Sequence, residues 1–367
     1  MNFFLHNNTT ILVLAPIIVV ASITFGFCFK FEKNITGFFL IGETFKKSPF
    51  LDENEILIVK NEVGYDGQQF LSLAFDPLMN HEGTLEALDN PRYRAKRILL
   101  PLVSNFLSLG EYKLIPYVFV VLNSIGILAI FYLFYNIHKN KHNYYLLTLA
   151  IPGIWIVLRI STAEIIANTL ILTSYFFIQH KKDKTSFLFL MLACLTKETM
   201  IIFPVSYGLV FLIKKDFKKI FVLAFFFIPF YIWHIYLIYK FGLGGDFDEF
   251  GNFTSPFYGV SKKWSDLIFL ENNKHEYLYF ILLNISIILL ITKMKYIYLF
   301  GSSLVYISLF ALSSSAIYDY HFSYNRVFIP VFIILLLSFK DNITNFDKVF
   351  WFFSTLSSIR IIYWVMK

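Results

Sequence analysis

Long apolar runs recur from one end of this sequence to the other, and they constrain its fold more than any other feature. The first covers residues 11–29, and at about 19 residues it is long enough to cross the hydrocarbon core of a bilayer. The later runs cover residues 114–136, 144–158, 165–179, 185–196, 200–213, 219–240, 277–292, 296–313, 327–339 and 349–366. Since 57% of the residues are hydrophobic and only 16% are charged, a single water-soluble core could not hide this surface. We therefore predict an all-α polytopic membrane protein with about 10–11 transmembrane helices and the lipid bilayer around it.

Three stretches of this pattern allow more than one interpretation. Residues 11–29 have the position of a signal peptide, but no convincing small-x-small cleavage site precedes Lys30, so we take them as the first helix. The runs 185–196 and 200–213 are either a hairpin of two short helices or one broken helix. Residues 98–109 are apolar but too short to cross, and we predict an interfacial or re-entrant helix there.

The basic residues lie in the connections between the runs rather than in one patch. The net charge is +7, but this scattered distribution argues against nucleic acid as a partner. Alternate connections are rich in lysine, at 139–141, 181–184, 214–219, 293–295 and 340–348. By the positive-inside rule these connections are cytoplasmic, and so is the N-terminus. Residues 1–367 then form a single transmembrane domain, and its long loops at 30–113 and 241–276 face outward.

The first outward loop is unusually long for a connection between helices, and long loops are often functional. Its stretch GYDGQQFLSLAFDPL, residues 64–78, sets Asp66 on a turn near the outer mouth of the helix bundle. Its stretch DNPRYRAKRILLPL, residues 89–102, leads into the predicted interfacial helix. The cations of this second stretch are Arg92, Arg94, Lys96 and Arg97. Guanidinium groups at that depth suit phosphate, because they bind it in a bidentate manner.

Further charged residues belong to other connections on the same predicted side. They are Arg159 and Glu164 in IWIVLRISTAEII, Lys197 and Glu198 in LTKET, and Asp319, His321 and Arg326 in YDYHFSYNR. Ionisable groups at or inside membrane depth are functional-site hypotheses by default. Each also has a simpler interpretation. Asp66 precedes a glycine, as turn residues often do, and the arginines of the first loop could face lipid headgroups. Arg159 and Glu164 could pair with each other, and His321 could be an ordinary hydrogen-bonded loop residue.

Signals for a cofactor are weak. The two cysteines, Cys28 and Cys194, provide neither a disulfide framework nor a metal-ligand spacing. No glycine-rich phosphate loop is present, so nothing indicates a nucleotide. The outward acidic residues are compatible with a divalent metal, but no ligand spacing demands one. The sequence therefore assigns neither a cofactor nor a metal site.

Taken in order, YDGQQF, YRAKRILLPL, RISTAE and LTKET resemble the motifs of bacterial membrane glycosyltransferases of the GT-C superfamily. The usual bacterial pattern is close to YDGQFY, then Y-R-x-x-R-I-x-Y-P-L, then R-x-x-T-E, then LTRE. The resemblance covers residues 60–200, and beyond them only the hydropathy and the second outward loop agree. Leu100 stands where an aromatic residue is common. Lys197 stands where arginine is commoner, and lysine cannot reproduce a bidentate contact.

The resemblance implies an inverting, mannosyltransferase-like enzyme that uses a polyprenyl-phosphate-linked sugar donor. Its acceptor would be a cell-envelope glycan or lipid on the outer face of a bacterial inner membrane. Mapped by motif, the acidic residue of the family's first loop corresponds to Asp66, the candidate catalytic base. The candidates for binding the donor phosphate are Arg94, Arg97, Arg159 and Lys197. The supporting residues are Tyr65, Gln68, Arg92, Glu164, Glu198, His321 and Arg326.

Two other kinds of function fit the same hydropathy. A transporter or flippase for lipid-linked sugars would show internal repeats and charges in mid-membrane. This chain shows no obvious repeat, and its charges cluster at the predicted outer ends of the helices. A non-catalytic envelope-glycan assembly protein would leave the glycan unaltered when its gene is deleted. The glycosyltransferase is the prediction that uses the ordered motifs.

Overall fold

Helices account for almost all of the regular structure in a computed structural model of the chain, which describes residues 8–138, 143–242, 251–269, 274–293, 297–338 and 344–366. Within these ranges the only strands are Ile41–Gly42 and Ile58–Val59, a short parallel pair inside the first loop. The predicted all-α class is therefore confirmed for the described part of the chain. Parts of the lysine-rich connections and of the loop at 241–276 lie outside the described residues.

The α-helices follow one another along the whole described chain. In order they are α1 (Asn8–Phe25), α2 (Asp66–Phe75), α3 (Glu82–Glu86), α4 (Pro91–Ala95), α5 (Leu99–Leu107), α6 (Ile115–His138), α7 (Pro152–Ile160), α8 (Glu164–Gln179), α9 (Asp183–Thr196), α10 (Ile202–Ile213), α11 (Phe217–Phe226), α12 (Ile228–Phe241), α13 (Tyr258–Phe269), α14 (Lys274–Lys293), α15 (Ile297–Leu312), α16 (Ser315–Tyr318), α17 (His321–Val327), α18 (Ile329–Ser338) and α19 (Asn345–Met366). Turns of 3₁₀ helix cover Ile35–Phe39, Asn143–Ala150 and Glu198–Ile201, and a π-helical turn covers Gly26–Lys30.

Several of these helices are long and apolar enough to cross a membrane. Among the described residues four pass by length and composition: Leu12–Lys30, Ile115–His138, His275–Lys293 and Asn345–Met366. Two bent pairs, α11 with α12 and α17 with α18, raise the number to six if each pair is one span; their bends are 46° and 43°. The chain thus has the helices of a multi-pass membrane protein, and its remaining helices are shorter.

The run at 144–158, expected as one helix, is two. A 3₁₀ helix ends at Ala150, Ile151 is extended (φ −86°, ψ 108°), and α7 begins at Pro152. Proline lacks an N–H and disfavours helical backbone in the residue before it, so it starts a helix well but interrupts one. Every residue of α7 is buried, so this helix packs against protein on all sides.

The runs 185–196 and 200–213 also form two helices, α9 and α10. Lys197 between them is extended (φ −155°, ψ 124°), and the 3₁₀ turn that begins at Glu198 leads into α10. Both charges of the LTKET motif therefore lie at a break in the helical backbone. Such a break frees backbone and side chains for tertiary contacts that a continuous helix would not allow.

The first loop contains α2 to α5 and packs closely on the bundle. Helix α5 has nine residues, about 13.5 Å of length, which is less than half of a bilayer core. Glu55 precedes α5 and Lys113 follows it, yet the Lys113 ammonium lies 3.0 Å from the Glu55 carboxylate. The rings of Phe50 and Tyr112 stack across the same junction with centroids 4.8 Å apart. The start of the first loop and the segment that follows α5 therefore contact each other.

Two close approaches bring α2 against the end of α7 and α17 against its start. A Cβ on Gly67, at the start of α2, would lie 2.0 Å from the Ile160 carbonyl oxygen at the end of α7. A Cβ on Gly153 would lie 2.2 Å from the carbonyl oxygen of Asn325 in α17. Only glycine allows the backbones to approach so closely. As a result α2 and α17, which carry Asp66 and Arg326, both contact α7.

Candidate functional site

Asp66 is the first residue of α2, and its carboxylate lies between two arginines. Tyr65 before it is extended, so Asp66 begins the helix, where the helix dipole favours a negative charge. Arg94 Nη1 lies 2.9 Å from Asp66 Oδ1, and Arg326 Nη2 lies 2.5 Å from Oδ2. Burial alone would raise the pKa of Asp66, but the guanidinium groups of Arg326 and Arg94 hold it well below its usual range. The carboxylate is therefore ionised, and each of its oxygens faces one guanidinium group.

Arg94 connects Asp66 to a second carboxylate. Its Nε and Nη2 donate to the two oxygens of Asp89 at 2.8 and 2.6 Å, a bidentate pair, while Nη1 faces Asp66. The short helix α4 sets this position: the Asn90 side chain accepts a hydrogen bond from the Tyr93 backbone N–H at its N-terminus. Arg94 is buried and its charge is shared between two carboxylates.

Arg326 extends the contacts from Asp66 into the helix bundle. Its guanidinium lies over the Tyr65 ring, 4.9 Å from the centroid, and its Nη1 is 3.4 Å from Glu164 Oε1. The same Glu164 oxygen accepts a hydrogen bond of 2.8 Å from the Lys197 ammonium. The Glu164 and Lys197 side chains are 2% and 6% exposed, so this ion pair is deep in the protein. The other Glu164 oxygen, Oε2, is buried without a hydrogen-bond partner.

A second bidentate pair lies beside these contacts. Arg97 Nε and Nη2 donate to the two oxygens of Glu198 at 2.7 and 2.6 Å. The Arg97 guanidinium also lies over the Tyr93 ring and donates to the Tyr93 hydroxyl. Burial raises the pKa of Tyr93 to about 12, so this phenol stays protonated at neutral pH. Arg97 thus joins the first loop to the break between α9 and α10.

These residues form one group, which we call the Asp66 network. Its cations are Arg94, Arg97, Lys197 and Arg326, and its carboxylates are Asp66, Asp89, Glu164 and Glu198. Positive and negative charges are equal in number, so the network has no formal net charge. Burying a charge without a partner is costly, and this balance is what allows so many ionised groups to be buried together.

A small cavity opens beside Asp66. Its volume is 270 Å³, and Tyr65, Asp66, Asp89 and Arg94 are among the residues that line it. Gln68, a supporting candidate, also lines it, but its side chain is used within the fold: it accepts from the Gly42 N–H and donates to the Lys46 carbonyl. The cavity gives a polar group direct access to the carboxylate.

Arg159 lies outside the Asp66 network. Its guanidinium carbon is 4.7 Å from the Phe31 ring centroid and 4.8 Å from that of Trp364, so two aromatic rings flank it. Its Nη1 donates to the Gly37 carbonyl at 2.8 Å, and its Nε is buried without a partner. The suggested pairing of Arg159 with Glu164 is wrong, because Glu164 is paired with Lys197 and Arg326.

Lys30 joins Arg159 at the same aromatic rings, and sequence reasoning missed it as a site residue. Its ammonium donates to the Trp364 carbonyl and lies 4.7 Å from the centroid of the Trp364 ring. A lone lysine at the end of an apolar run is usually an interfacial anchor, so the sequence carried no signal for a second role.

His321 belongs to a separate cluster around Glu276, which sequence reasoning also missed. Its Nδ1 is 2.6 Å from Glu276 Oε1, and its ring stacks on Tyr279 with centroids 4.9 Å apart. The other carboxylate oxygen accepts from the Tyr324 hydroxyl at 3.0 Å and lies 3.1 Å from the Lys263 ammonium. His321 therefore stabilises the fold around α14 and α17, as the simpler interpretation of this residue expects. Arg92, the last supporting candidate, is half-buried on α4.

The part of the chain that the structure describes contains no group of three or more His, Cys, Asp or Glu side chains arranged to hold a metal ion. The carboxylates of the Asp66 network face arginine and lysine instead. Comparison of the chain with protein-family models, with curated proteins and with solved structures finds no match in any of the three.

Proposed function

We propose that this protein is a membrane glycosyltransferase of the GT-C type. It moves a sugar from a polyprenyl-phosphate carrier to a cell-envelope glycan or lipid acceptor on the outer face of a bacterial inner membrane. One observation carries the proposal: residues of all four ordered motifs, far apart in sequence, belong to one buried group. Asp66 contacts Arg94, Glu164 contacts Lys197, and Arg326 contacts both carboxylates. Buried ionisable groups in a membrane protein mark functional sites.

The ion pairs also support the proposed topology of about 10–11 crossings with a cytoplasmic N-terminus. Lys219 pairs with Asp183 and Lys293 with Asp347, and all four residues belong to the lysine-rich connections. The pairs Arg326–Asp66, Lys197–Glu164, Arg97–Glu198 and Lys263–Glu276 all belong to the alternate connections. None of these pairs joins a lysine-rich connection to an alternate connection, and the order of the apolar runs places these two kinds of connection on opposite sides of the membrane. This partition supports a single transmembrane domain with outward loops at 30–113 and 241–276.

Asp66 is the proposed base for the acceptor hydroxyl. In glycosyl transfer with an oxocarbenium-like transition state, the donor C–O bond breaks and the polyprenyl phosphate leaves with its electron pair. The acceptor oxygen bonds to the anomeric carbon from the opposite face, which inverts its configuration. That oxygen becomes strongly acidic as it bonds, so its proton passes late to a carboxylate. A carboxylate whose pKa lies below its usual range can accept such a proton, and the 270 Å³ cavity gives the acceptor access to it.

The cations of the site have two proposed roles. Arg94, Arg97 and Lys197 share their charges with carboxylates, so their proposed role is to donate hydrogen bonds to the departing phosphate. Arg159, which forms no ion pair with a carboxylate of the described residues, is proposed to supply positive charge to it. Glu164 and Glu198 hold Lys197 and Arg97 in fixed orientations. Tyr65 lies against Arg326 and donates to or accepts from the Ser323 hydroxyl at 2.9 Å, which fixes the approach to Asp66. The donor supplies the energy through its phosphate ester, so this chemistry requires no nucleotide.

The test is turnover of polyprenyl-phosphate sugars by the purified full-length protein in lipid nanodiscs. Asp66→Asn is expected to lower the transfer rate by about 10³-fold, within the range for a missing general base in combination with a disturbed site. Asp89→Asn is the matched control, because it also removes a carboxylate from Arg94 but leaves Asp66 in place. Full activity of a folded Asp66→Asn variant would remove the proposed base. Movement of labelled lipid-linked sugar across proteoliposomes, without product, would favour a flippase instead.

A further inference from the structure

We infer that a second cavity, between the ends of α1 and α6 and the first loop, binds the headgroup of an aminophospholipid, which carries an ammonium and a phosphate. The volume of this cavity is 610 Å³, a size typical of ligand sites. Its lining comes from the segments 32–36, 50–56 and 111–117 and from Phe75, and we call it the headgroup cavity. It shares no lining residue with the cavity beside Asp66. Helix α2 separates the two, since Asp66 begins this helix and Phe75 ends it.

One wall of the headgroup cavity is aromatic. The rings of Phe50 and Tyr112 stack with centroids 4.8 Å apart, and Phe75 meets Tyr112 edge-on at 5.9 Å. Phe75 is buried whereas Tyr112 is 44% exposed, so the packed rings hold Tyr112 at the surface of the wall. The face of an aromatic ring attracts a cation, and ammonium ligands are often bound in this way. The wall therefore suits an ammonium group.

The cavity is lined by charges of both signs, and carboxylates are in excess. Its lysines are Lys33 and Lys113, and its carboxylates are Glu32, Asp52, Glu55 and Glu111. Lys113 pairs with Glu55 at 3.0 Å, and apart from this pair the lining has one lysine and three carboxylates. An aminophospholipid headgroup matches this distribution, because its ammonium can face the carboxylates and its phosphate can face Lys33. A headgroup with a phosphate and no ammonium would meet a net negative potential.

The position of the cavity in the fold places it at the level of the lipid headgroups. Glu32 follows the first candidate span, Leu12–Lys30, and Tyr117 lies in the first turn of the second, Ile115–His138. The rings of Phe27 and Tyr117 meet edge-on with centroids 6.5 Å apart, so these ends of the two spans are adjacent. Tyrosine at the ends of spanning helices marks the interface between the hydrocarbon core and water. A headgroup in the surrounding bilayer therefore lies at the height of the cavity.

The helix surface next to the cavity favours a lipid over a free amine. Tyr117, Val121 and Ile125 are spaced by four residues on α6, so they share one face, and each is about half exposed. Helix α1 borders this region, since the Tyr132 hydroxyl on α6 donates to the Leu12 carbonyl on α1 at 3.2 Å. An acyl chain attached to a headgroup in the cavity has this apolar surface to lie on. A small soluble amine would leave it unused.

Native mass spectrometry of the delipidated full-length protein in detergent, with phospholipids added one at a time, tests the inference. The probes are palmitoyl-oleoyl phosphatidylethanolamine and palmitoyl-oleoyl phosphatidylglycerol, which share their acyl chains and differ in the ammonium. We expect the first to bind at least about threefold more tightly, the order of effect for exposed ion pairs. The double variant Asp52→Asn with Glu111→Gln is expected to abolish this preference. Glu62→Gln is the matched control, because it removes an exposed carboxylate of the same loop that does not line the cavity.

A second pair of variants tests the aromatic wall. Tyr112→Leu is expected to weaken the binding of phosphatidylethanolamine, because it removes the ring that attracts the ammonium. Tyr112→Phe keeps the ring and is expected to retain the binding of wild type. Since Tyr112 is half-exposed, neither variant depends on the tolerance of the core.

Three results would overturn the inference: equal affinity of the wild-type protein for the two phospholipids, an unchanged preference in the folded double variant, or equal affinity for soluble glycerophosphoethanolamine. The last would make the cavity a site for a free amine rather than for a lipid. The measurement uses no sugar donor, so the inference does not rest on the proposed function. A preference for phosphatidylethanolamine that persists in Asp66→Asn, with or without sugar transfer, separates the two.

Discussion

Two neighbouring regions bury positive charge in opposite ways. One is the Asp66 network, and the other is the aromatic cation site, which consists of Lys30, Phe31, Arg159 and Trp364. In the network every cation has a carboxylate within ion-pair distance. In the aromatic cation site Lys30 and Arg159 have rings and backbone carbonyls instead. A compensated charge can be explained by folding alone, because the partner offsets its desolvation. An uncompensated charge has no such partner, so only the surrounding rings and carbonyl groups offset its desolvation.

The largest expected effect comes from breaking the most deeply buried pair. Glu164→Gln leaves Lys197 buried without its carboxylate and weakens the support of Arg326, so we expect a loss of about 3–5 kcal/mol in the free energy of unfolding. Denaturant unfolding in mixed micelles measures it. Replacing both partners, Glu164→Gln with Lys197→Met, is expected to cost less than the sum of the single changes. Strict additivity of the two would show that the pair is not coupled.

A smaller effect, with a defined pH dependence, is expected at Asp66. Asp66→Asn is expected to cost about 1.5–3 kcal/mol, since Arg94 keeps Asp89 as a partner. The pKa of Asp66 is lowered in the folded protein, so its ion pairs contribute fully above the unfolded pKa of about 3.9 and are lost as pH falls through the folded value. The stability difference between wild type and variant should therefore stay constant from pH 8 to 5 and shrink only below about pH 4. If the stability difference decreased between pH 7 and pH 5 instead, the pKa of Asp66 in the folded protein would be raised rather than lowered.

The sequence was sufficient to predict the helical class and most members of the network. Asp66, Arg94, Glu164 and Lys197 were all identified from local motifs, and the structure brings them together. The motifs were informative because each of them places a charged residue at or near the end of a helix, where it can reach the other segments. Whether Arg159 and Glu164 form a pair could not be predicted from their motif alone. Ser161 between them adopts a left-handed conformation (φ 46°), which ends α7 and turns the two side chains apart.

The aromatic cation site could not be predicted, because its parts are local only in space. Lys30 and Trp364 are separated by 334 positions, and each alone is an ordinary interfacial residue. Glu276 was missed for a similar reason: it precedes an apolar run without any motif, and its partners Lys263 and His321 come from two other segments. Which charges lie close together depends on how the folded chain packs. The balance of charges at a site can therefore be determined only when the tertiary contacts are known.

The protein should tolerate the loss of the Arg159 charge better than the loss of a charge from the Asp66 network. Arg159→Met keeps an apolar side chain between Phe31 and Trp364 and removes a charge that has no carboxylate. The variant loses the cation–π contacts and the hydrogen bond to the Gly37 carbonyl, but it also relieves the repulsion with Lys30 and the cost of burying the charge. These effects oppose each other, so we expect a net change within about 1 kcal/mol. The same unfolding measurement used for Glu164→Gln gives the comparison. A loss of 3 kcal/mol or more, on the order of the cost of breaking a buried pair, would make Arg159 a structural residue.

The smallest effect is expected at Lys113. Its ion pair with Glu55 is 3.0 Å long, close to the 2.8 Å of Lys197 with Glu164, but the Lys113 side chain is 74% exposed and the Lys197 side chain 6%. Water and salt screen the exposed pair, so Lys113→Gln is expected to leave the melting temperature unchanged at physiological salt. A scan at low salt, where screening is weaker, should give a slight decrease at most. The two pairs thus share their length and differ in burial. If Lys113→Gln destabilised the protein as much as Glu164→Gln, burial would not be what distinguishes the Asp66 network from the rest of the surface, and the argument from uncompensated charge at Arg159 would lose its basis.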